Sequence, residues 1–191
     1  FVDVTMNYGV GEYKLCWAAD WIDYNNDTYL DLYVASGLNV YSDYPEIAET
    51  FPEETNSLYI NEGTAPLYSS NEEVPQWPQH TFAIAQGDFN NDGFPDLVSH
   101  KLGDYAQVLM STPNNNNWLK IKLKGTTSNS MGIGCSIQVN CIDPYENTVF
   151  FKDVVIAGEN YLGQNSYWQN FGLKDIAIVE SIIITWSGGV E

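Results

Sequence analysis

Short apolar runs with an alternating pattern recur along the whole chain. Trp118-Leu-Lys-Ile-Lys-Leu-Lys124 alternates strictly between apolar and basic positions, which predicts a strand with one buried and one solvated face. Elsewhere, β-branched and aromatic runs are separated by Gly, Pro, Asn and Asp turn signals, and no amphipathic helix of ordinary length is apparent. The predicted fold is therefore all-β. Its strands are Phe1–Thr5, Trp17–Ile22, Leu30–Ala35, Ser57–Asn61, Thr81–Gln86, Leu97–His100, Tyr105–Met110, Trp118–Lys124, Cys135–Ile142, Val149–Ile156, Tyr167–Phe171 and Ile178–Trp186.

One polar motif occurs twice between these strands. Its copies lie 65 residues apart (88 minus 23), and each places carboxylate or amide oxygens at loop positions 1, 3, 5 and 9 and a backbone carbonyl at position 7. Oxygen donors in this number suit Ca²⁺, whereas Mg²⁺ retains its waters and Zn²⁺ prefers nitrogen or sulfur. The sequence therefore predicts two calcium sites. Their ligands are Asp23, Asn25, Asp27, the Tyr29 carbonyl and Asp31 in one loop, and Asp88, Asn90, Asp92, the Phe94 carbonyl and Asp96 in the other.

These loops differ from EF-hands and also from each other. The twelfth position is Val34 in one and Ser99 in the other, where an EF-hand has a bidentate Glu. Position 6 is Gly93 in the second loop and Thr28 in the first. A sharp turn at this position requires a positive φ, which costs a non-glycine residue about 1–2 kcal/mol. We therefore expect the 88–96 loop to bind calcium more tightly than the 23–31 loop.

The two loops and their apolar flanks resemble FG-GAP/VCBS repeats, the calcium-loop blades of integrin-type β-propellers. The pieces that carry this resemblance are Trp17–Asp23, Leu30–Ala35, Phe1–Thr5 and Asn56–Gly63. From Asn117 onward the chain resembles the ASPIC/UnbV module, which follows such repeats in the family of cartilage acidic protein and its bacterial relatives. The matching pieces are Trp118–Leu123, Gly132-Ile-Gly134, Tyr161–Ser166, Phe171-Gly-Leu173 and Trp186-Ser-Gly188.

The resemblance implies a domain organisation. Residues 1–112 would form about two blades of a larger β-propeller and carry both calcium loops, and residues 113–191 would form a small antiparallel β domain of the ASPIC/UnbV type. Pro113 and the run Asn114–Asn117 would link the two. Propellers close with about four to eight blades. We therefore expect the missing blades to come from the parent chain or from a partner in an assembly.

The charge balance narrows the choice of partners and location. The chain has 191 residues, 25 acids, seven lysines and no arginine, with a net charge of −18. Such a chain repels nucleic acid phosphates and anionic headgroups, and it has no apolar run of the 18–20 residues or so that span a bilayer. We expect no nucleic acid partner, no membrane insertion, and an extracellular location, either secreted or at the cell surface.

Taken together, these features predict a non-enzymatic, calcium-stabilised scaffold or adhesion module that binds a protein or glycan surface outside the cell. His80 and His100 are the only histidines, and no motif of nucleophilic catalysis surrounds them. The alternative is a glycan-binding or glycan-processing protein that uses the remaining acids and the aromatic side chains. The candidate aromatics are Tyr41, Tyr44, Trp77 and Trp168.

Two smaller questions concern covalent chemistry. Cys135 and Cys141 share one predicted strand about 20 Å apart, too far for a disulfide. We expect them and Cys16 to be buried free thiols, with a bond to another chain as the open alternative. The sequon Asn26-Asp-Thr28 lies inside the first calcium loop at a position that is not a ligand. Glycosylation of Asn26 is left open.

Overall fold

The computed structural model describes residues 1–11, 14–37, 54–64, 68–69, 74, 80–101, 105–127 and 129–189. These ranges contain twelve strands and no helix, and every strand pairing is antiparallel, so the predicted all-β fold is confirmed. No helix in the described part of the chain is long and apolar enough to span a bilayer. The strands are β1 (Cys16–Ile22), β2 (Asp31–Ser36), β3 (Ser57–Ile60), β4 (Tyr68–Ser69), β5 (Thr81–Gly87), β6 (Asp96–Lys101), β7 (Gln107–Leu109), β8 (Asn117–Lys122), β9 (Ser136–Ile142), β10 (Thr148–Val154), β11 (Trp168–Lys174) and β12 (Ile178–Thr185).

Strands β1 to β7 form two sheets in which sequence neighbours pair. The first has the order β1-β2-β3-β4 and the second the order β5-β6-β7. Alternate residues of β1 point inward, so that Ala18 and Ile22 join Tyr33 of β2 and Ile84 of β5 in one apolar cluster. The 23–31 loop connects β1 to β2, and the 88–96 loop connects β5 to β6. Each candidate loop therefore has the same place in its own sheet.

Strands β8 to β12, here called the C-terminal unit, form a three-stranded sheet of order β10-β9-β12 and a two-stranded sheet of order β11-β8. Ile137 and Val139 of the central strand β9 pack with Phe171 and Leu173 of β11. The two apolar clusters share no residue, because the first takes its members from residues up to Leu109 and the second from residues after 118. The two halves meet through hydrogen bonds such as that from Asn165 to Asp20, at 2.7 Å, and through ring contacts such as that of Trp17 with Tyr161, with centroids 5.8 Å apart.

Two expectations about local structure are wrong. Residues 1–5 do not form a strand, because the Asp3 carboxylate accepts the Thr5 amide at 3.0 Å and a turn follows. Cys16 is exposed, since it lies at the first position of β1 beside a register shift, whereas Cys135 and Cys141 are buried free thiols as expected. The aromatics Tyr41, Tyr44 and Trp77 lie outside the described residues.

Candidate metal loops and their interface

In the first loop, side-chain oxygens accept hydrogen bonds from the loop's own backbone. The two oxygens of Asp23 accept the amides of Asp27 and Thr28, at 2.9 and 3.0 Å. Asn25 Oδ1 accepts the Asp27 amide at 3.0 Å, and Asp27 Oδ1 accepts the Tyr29 amide at 2.9 Å. The loop is therefore folded around its predicted ligands, with the polar side chains turned toward the centre of the turn.

The second loop repeats this pattern bond for bond. The oxygens of Asp88 accept the amides of Asp92 and Gly93, both at 3.1 Å. Asn90 Oδ1 accepts the Asp92 amide at 3.1 Å, and Asp92 Oδ1 accepts the Phe94 amide at 2.9 Å. Four equivalent hydrogen bonds at four equivalent positions make the two loops copies of one local structure.

The closing aspartates, Asp31 and Asp96, anchor each loop to the following chain. Asp31 Oδ1 accepts the Asn61 amide at 2.8 Å, and Asp96 Oδ1 accepts the Ser111 amide at 2.9 Å. The second oxygen of Asp96 accepts the Phe89 amide at 2.8 Å, whereas the corresponding Tyr24 amide interacts with the Asp31 carboxyl but makes no well-formed hydrogen bond to its buried Oδ2. A buried carboxylate oxygen of this kind is costly unless a cation or proton satisfies it.

Both loops take the left-handed conformation at the same two positions. Asn26 and Asn91 each have a φ of 57°, while Thr28 has 81° and Gly93 has 92°. The expected positive φ at position 6 is thus confirmed in both loops, including the one where a β-branched residue bears the strain. Gly93 also has no room for a side chain, because a Cβ there would lie 1.8 Å from the Trp118 ring.

The carboxyl groups of the first loop lie in an environment that disfavours their charge. Burial raises the pKa of Asp31 to about 7, with the negative charges of Asp27 and Asp23 adding to the effect. Burial also raises the pKa of Asp23 to about 6, although hydrogen bonds from the Thr28 and Asp27 amides oppose the shift. A bound cation would compensate these charges and keep the carboxylates ionised.

The second loop already has a compensating charge from the C-terminal unit. Lys120 of β8 places its Nζ 2.6 Å from Asp88 Oδ2, and the Asp88 side chain is only 2% exposed. The same Nζ lies 3.5 Å from Asn91 Oδ1. Among the described residues, no ion pair of this kind involves an aspartate of the first loop. The two copies therefore differ in electrostatics although they agree in backbone.

Asn26 joins the first loop to the second loop and to the C-terminal unit. Its side chain is fully buried, and its Nδ2 donates to the Gly93 carbonyl at 3.0 Å. Its Oδ1 accepts from Asn170 Nδ2 at 2.9 Å, and its backbone carbonyl accepts the Lys174 amide at 3.0 Å. Because the Nδ2 is enclosed and already donates a hydrogen bond, the Asn26 sequon is closed to glycosylation in this fold.

Sequence reasoning missed the other residues that enclose the first loop. Asn114 and Asn116 donate their side-chain amides to the Asn25 carbonyl, at 2.7 and 2.9 Å. Gly172 approaches so closely that a Cβ there would lie 2.0 Å from Asp23 Oδ2. From the sequence alone, the run Asn114–Asn117 predicts only a linker. The repeated asparagine side chains indicate a set of hydrogen-bond donors, but the sequence cannot show which carbonyl accepts from them.

A cleft of about 700 Å³ opens between the two N-terminal sheets and the C-terminal unit. Asp20, Asp153 and Glu159 line it together with the exposed rings of Trp21 and Trp168. Burial raises the pKa of Asp20 and of Asp153, and it raises the pKa of Glu159 with added repulsion from the other two acids. The cleft thus combines aromatic faces with carboxyl groups that are held near one another.

The geometry of the C-terminal unit can be compared with known families. Residues 125–191 match the family model of ASPIC and UnbV. The resemblance is therefore confirmed for most of the C-terminal unit, from the loop after β8 to the end of β12. No curated protein matches the chain. The ASPIC/UnbV region supplies Asn170, Gly172 and Lys174, the three residues of β11 that contact the first loop.

The predicted ligands are all oxygen donors, which suits a hard cation. The carboxylates alone do not form a complete coordination shell. Within the described residues, no three His, Cys, Asp or Glu side chains lie close enough to form a metal site by themselves. Amide oxygens and backbone carbonyls would have to complete each coordination shell, and the carboxylates would have to move inward. The buried Asp31 Oδ2, which makes no well-formed hydrogen bond, and the all-oxygen donor set favour Ca²⁺.

In a calcium chelator, stability should fall as the pH rises from about 4 to about 7. Asp31 and Asp23 release their protons near pH 3.8 when unfolded, but near 7 and 6 when folded. The contribution of these two groups to the free energy of unfolding is fully present below the unfolded pKa and is lost as the pH rises through the folded pKa. The loss is up to about 1.4 kcal/mol per pH unit for each group. Urea denaturation at a series of pH values measures this slope.

Asp31→Asn tests the assignment of that slope, because the amide keeps an oxygen for the Asn61 N–H and cannot ionise. The variant should have a shallower slope than the wild type in chelator, and saturating calcium should remove the share of Asp31 and Asp23 from the slope of the wild type, leaving that of Asp20, Asp153 and Glu159. If the two proteins have the same slope in chelator, Asp31 is ionised in the metal-free fold and the account of the first loop is wrong.

Lys120→Met should have opposite effects on the apoprotein and on calcium binding. It leaves the buried carboxylate of Asp88 without its ammonium, which should cost about 3 kcal/mol in chelator. It also removes a positive charge that opposes a divalent cation, so calcium should bind the second loop more tightly.

Lys122→Met is the matched control for this variant. Both lysines lie over the Trp168 ring, at 5.4 and 5.5 Å, but the described ion pair involves Lys120. Calorimetry should give a calcium affinity for the control close to that of the wild type. Equal affinities in all three proteins would show that the Lys120 charge does not act on the second loop.

Proposed function

We propose that the protein is a non-enzymatic, calcium-stabilised extracellular scaffold or interaction module. It would consist of FG-GAP/VCBS-type propeller blades in residues 1–112 followed by the ASPIC/UnbV domain. The observation that carries the proposal is the repetition of one loop structure, hydrogen bond for hydrogen bond, at sites 65 residues apart (88 minus 23). An ordinary Asp/Asn turn has no reason to recur with the same donors at the same places.

The position of the loops within their sheets supports propeller blades. Each loop connects the first two strands of an antiparallel sheet whose strands pair in sequence order. Successive hairpins of this kind are the construction of a blade, and β1 and β2 also contact β5 of the neighbouring sheet. Two blades cannot close a ring, so the parent chain or an assembly partner would supply the others.

The predicted calcium ligands support an extracellular location, where the concentration of free calcium is high. Neither loop has the bidentate Glu that strengthens EF-hand sites, and the first bears strain at Thr28. Weak sites with dissociation constants of about 10⁻⁴ to 10⁻³ M are typical of extracellular modules, since only there is free calcium high enough to fill them. The net charge of −18 favours the same setting and disfavours nucleic acid and membrane insertion.

In this function calcium acts on the blades and not on a substrate. The cation would offset the repulsion among three aspartates in each loop and hold the turn between two strands. The rigid blades and the C-terminal unit would then present their surfaces to a protein or glycan partner outside the cell.

A glycan-binding function is the second candidate, and the cleft between the blades and the C-terminal unit favours it. Flat aromatic faces such as Trp168 and Trp21 suit the apolar face of a sugar, and the nearby acids could bind its hydroxyls. Glycan-array binding that persists in chelator would favour this candidate over the calcium-dependent scaffold.

Asp92→Ala tests the leading proposal. Calcium at a hundredfold excess over its dissociation constant should stabilise the wild type by about 2.7 kcal/mol per site. The variant loses a ligand of the second loop and also the acceptor of the Phe94 amide, so it should lose some stability in chelator and, in addition, that loop's share of the calcium effect. Differential scanning calorimetry in both conditions measures the difference.

Asp143→Ala provides the control, because Asp143 is an aspartate whose side chain accepts turn amides in the hairpin between β9 and β10, away from both loops. Its loss should lower stability equally with and without calcium. If Asp92→Ala behaves like this control, the second loop is a structural turn and the proposed role of calcium is refuted there.

A further inference from the structure

The two halves of the chain have separate apolar clusters and are joined mainly by polar contacts, with ring contacts such as that of Trp17 with Tyr161 beside them. Their apolar clusters have no member in common. Across the boundary, amide groups carry much of the bonding, with Asn26, Asn114, Asn116 and Asn170 all contributing side chains. An interface formed mainly by hydrogen bonds can open without exposing the buried cluster of either half. The equilibrium between the docked and the undocked C-terminal unit can therefore be shifted by other interactions.

These contacts fall on the backbone between two predicted calcium ligands. Asn25 and Asp27 are ligands, and Asn26 lies between them in the left-handed conformation. The Asn25 carbonyl accepts two side-chain amides from the linker, and the Asn26 carbonyl accepts the Lys174 amide. Docking therefore fixes the peptide groups that must be ordered before the ligand oxygens can converge on a cation.

We propose that calcium binding at the first loop and docking of the C-terminal unit are linked equilibria, with Asn26 as the positioning residue that joins them. The proposal rests on the proposed function, since it requires calcium to bind this loop. A loop that docking has already ordered binds a cation with less loss of conformational freedom, so its affinity is higher. By reciprocity, calcium must strengthen docking by the same factor.

The packing of β11 makes this linkage specific to the first loop. Gly172 lies against both Asp23 and Asn26, with a Cβ at this position only 2.0 Å from the Asp23 carboxylate and 2.7 Å from the Asn26 Cα. A side chain there must displace backbone, either that of β11 or that of the loop. The second loop meets the C-terminal unit differently, through side chains: the Lys120 ammonium pairs with Asp88, and the Trp118 ring lies against Gly93.

Two variants outside the predicted ligand set break the contact. Asn170→Ala removes the donor to Asn26 Oδ1, and Gly172→Ala forces β11 away from the loop. Asn140→Ala is the matched control, because it removes an asparagine hydrogen bond to Ser181 within the β10-β9-β12 sheet of the C-terminal unit, to which β11 does not belong. All three are made in the full chain, and circular dichroism verifies their folding.

Calorimetric titration with CaCl₂ provides the first measurement. Asp27→Ala identifies the binding event of the first loop as the one that disappears. We expect Asn170→Ala and Gly172→Ala to weaken that event by about fivefold or more, which is the lower range of ordinary coupling, and Asn140→Ala to leave it unchanged. If Gly172→Ala fails to fold, Asn170→Ala decides the question alone.

Limited proteolysis provides the reciprocal measurement. Calcium should slow cleavage in the linker at residues 113–117 in the wild type, and it should lose this effect in Asp27→Ala. Absence of calcium binding by the wild type would overturn both this inference and the proposed function. Unchanged first-loop affinity in the two β11 variants, with calcium still stabilising the blades, would overturn the linkage alone.

Discussion

The side chain of Asn26 has no exposed surface, and the hydrogen bonds of this residue reach both the second loop and strand β11. Its Nδ2 donates to the second loop, its Oδ1 accepts from β11, and its backbone carbonyl accepts a further β11 amide. A buried amide with all its groups paired is stabilising, but the loss of any one partner leaves a costly unsatisfied group. Asn26 is therefore the residue through which the first loop contacts both the second loop and the C-terminal unit.

The repeated loops also show how one backbone design can take two electrostatic forms. In the first loop, buried carboxyls are left with a raised pKa and one oxygen without a well-formed hydrogen bond. In the second, Lys120 supplies a positive charge from a strand outside the repeat. We infer that, without a metal, electrostatic repulsion destabilises the second loop less than the first. A bound cation would therefore stabilise the first loop more. Glycine at position 6 works in the opposite direction, since it relieves the second loop of the strain that Thr28 bears.

Features with a local physical cause could be predicted from the sequence. Alternation located the strands, and ligand spacing together with the turn requirement located the loops and the positive φ of Thr28. Long-range contacts could not be predicted, because no pattern in the sequence pairs Lys120 with Asp88 or Asn170 with Asn26. The errors have local causes as well. The Asp3 carboxylate accepts the Thr5 amide, which is then not available for pairing with another strand. Cys16 lies beside a register shift and is exposed.

The central claim is that calcium at the first loop holds the C-terminal unit in place. The Lys174 amide reports on this directly, because its hydrogen bond to the Asn26 carbonyl at 3.0 Å exists only while β11 is docked. Hydrogen exchange at this amide should be slower in calcium than in chelator by about fivefold or more, while amides of the central strand β9 change less. Equal exchange of the Lys174 amide in calcium and in chelator would contradict the account.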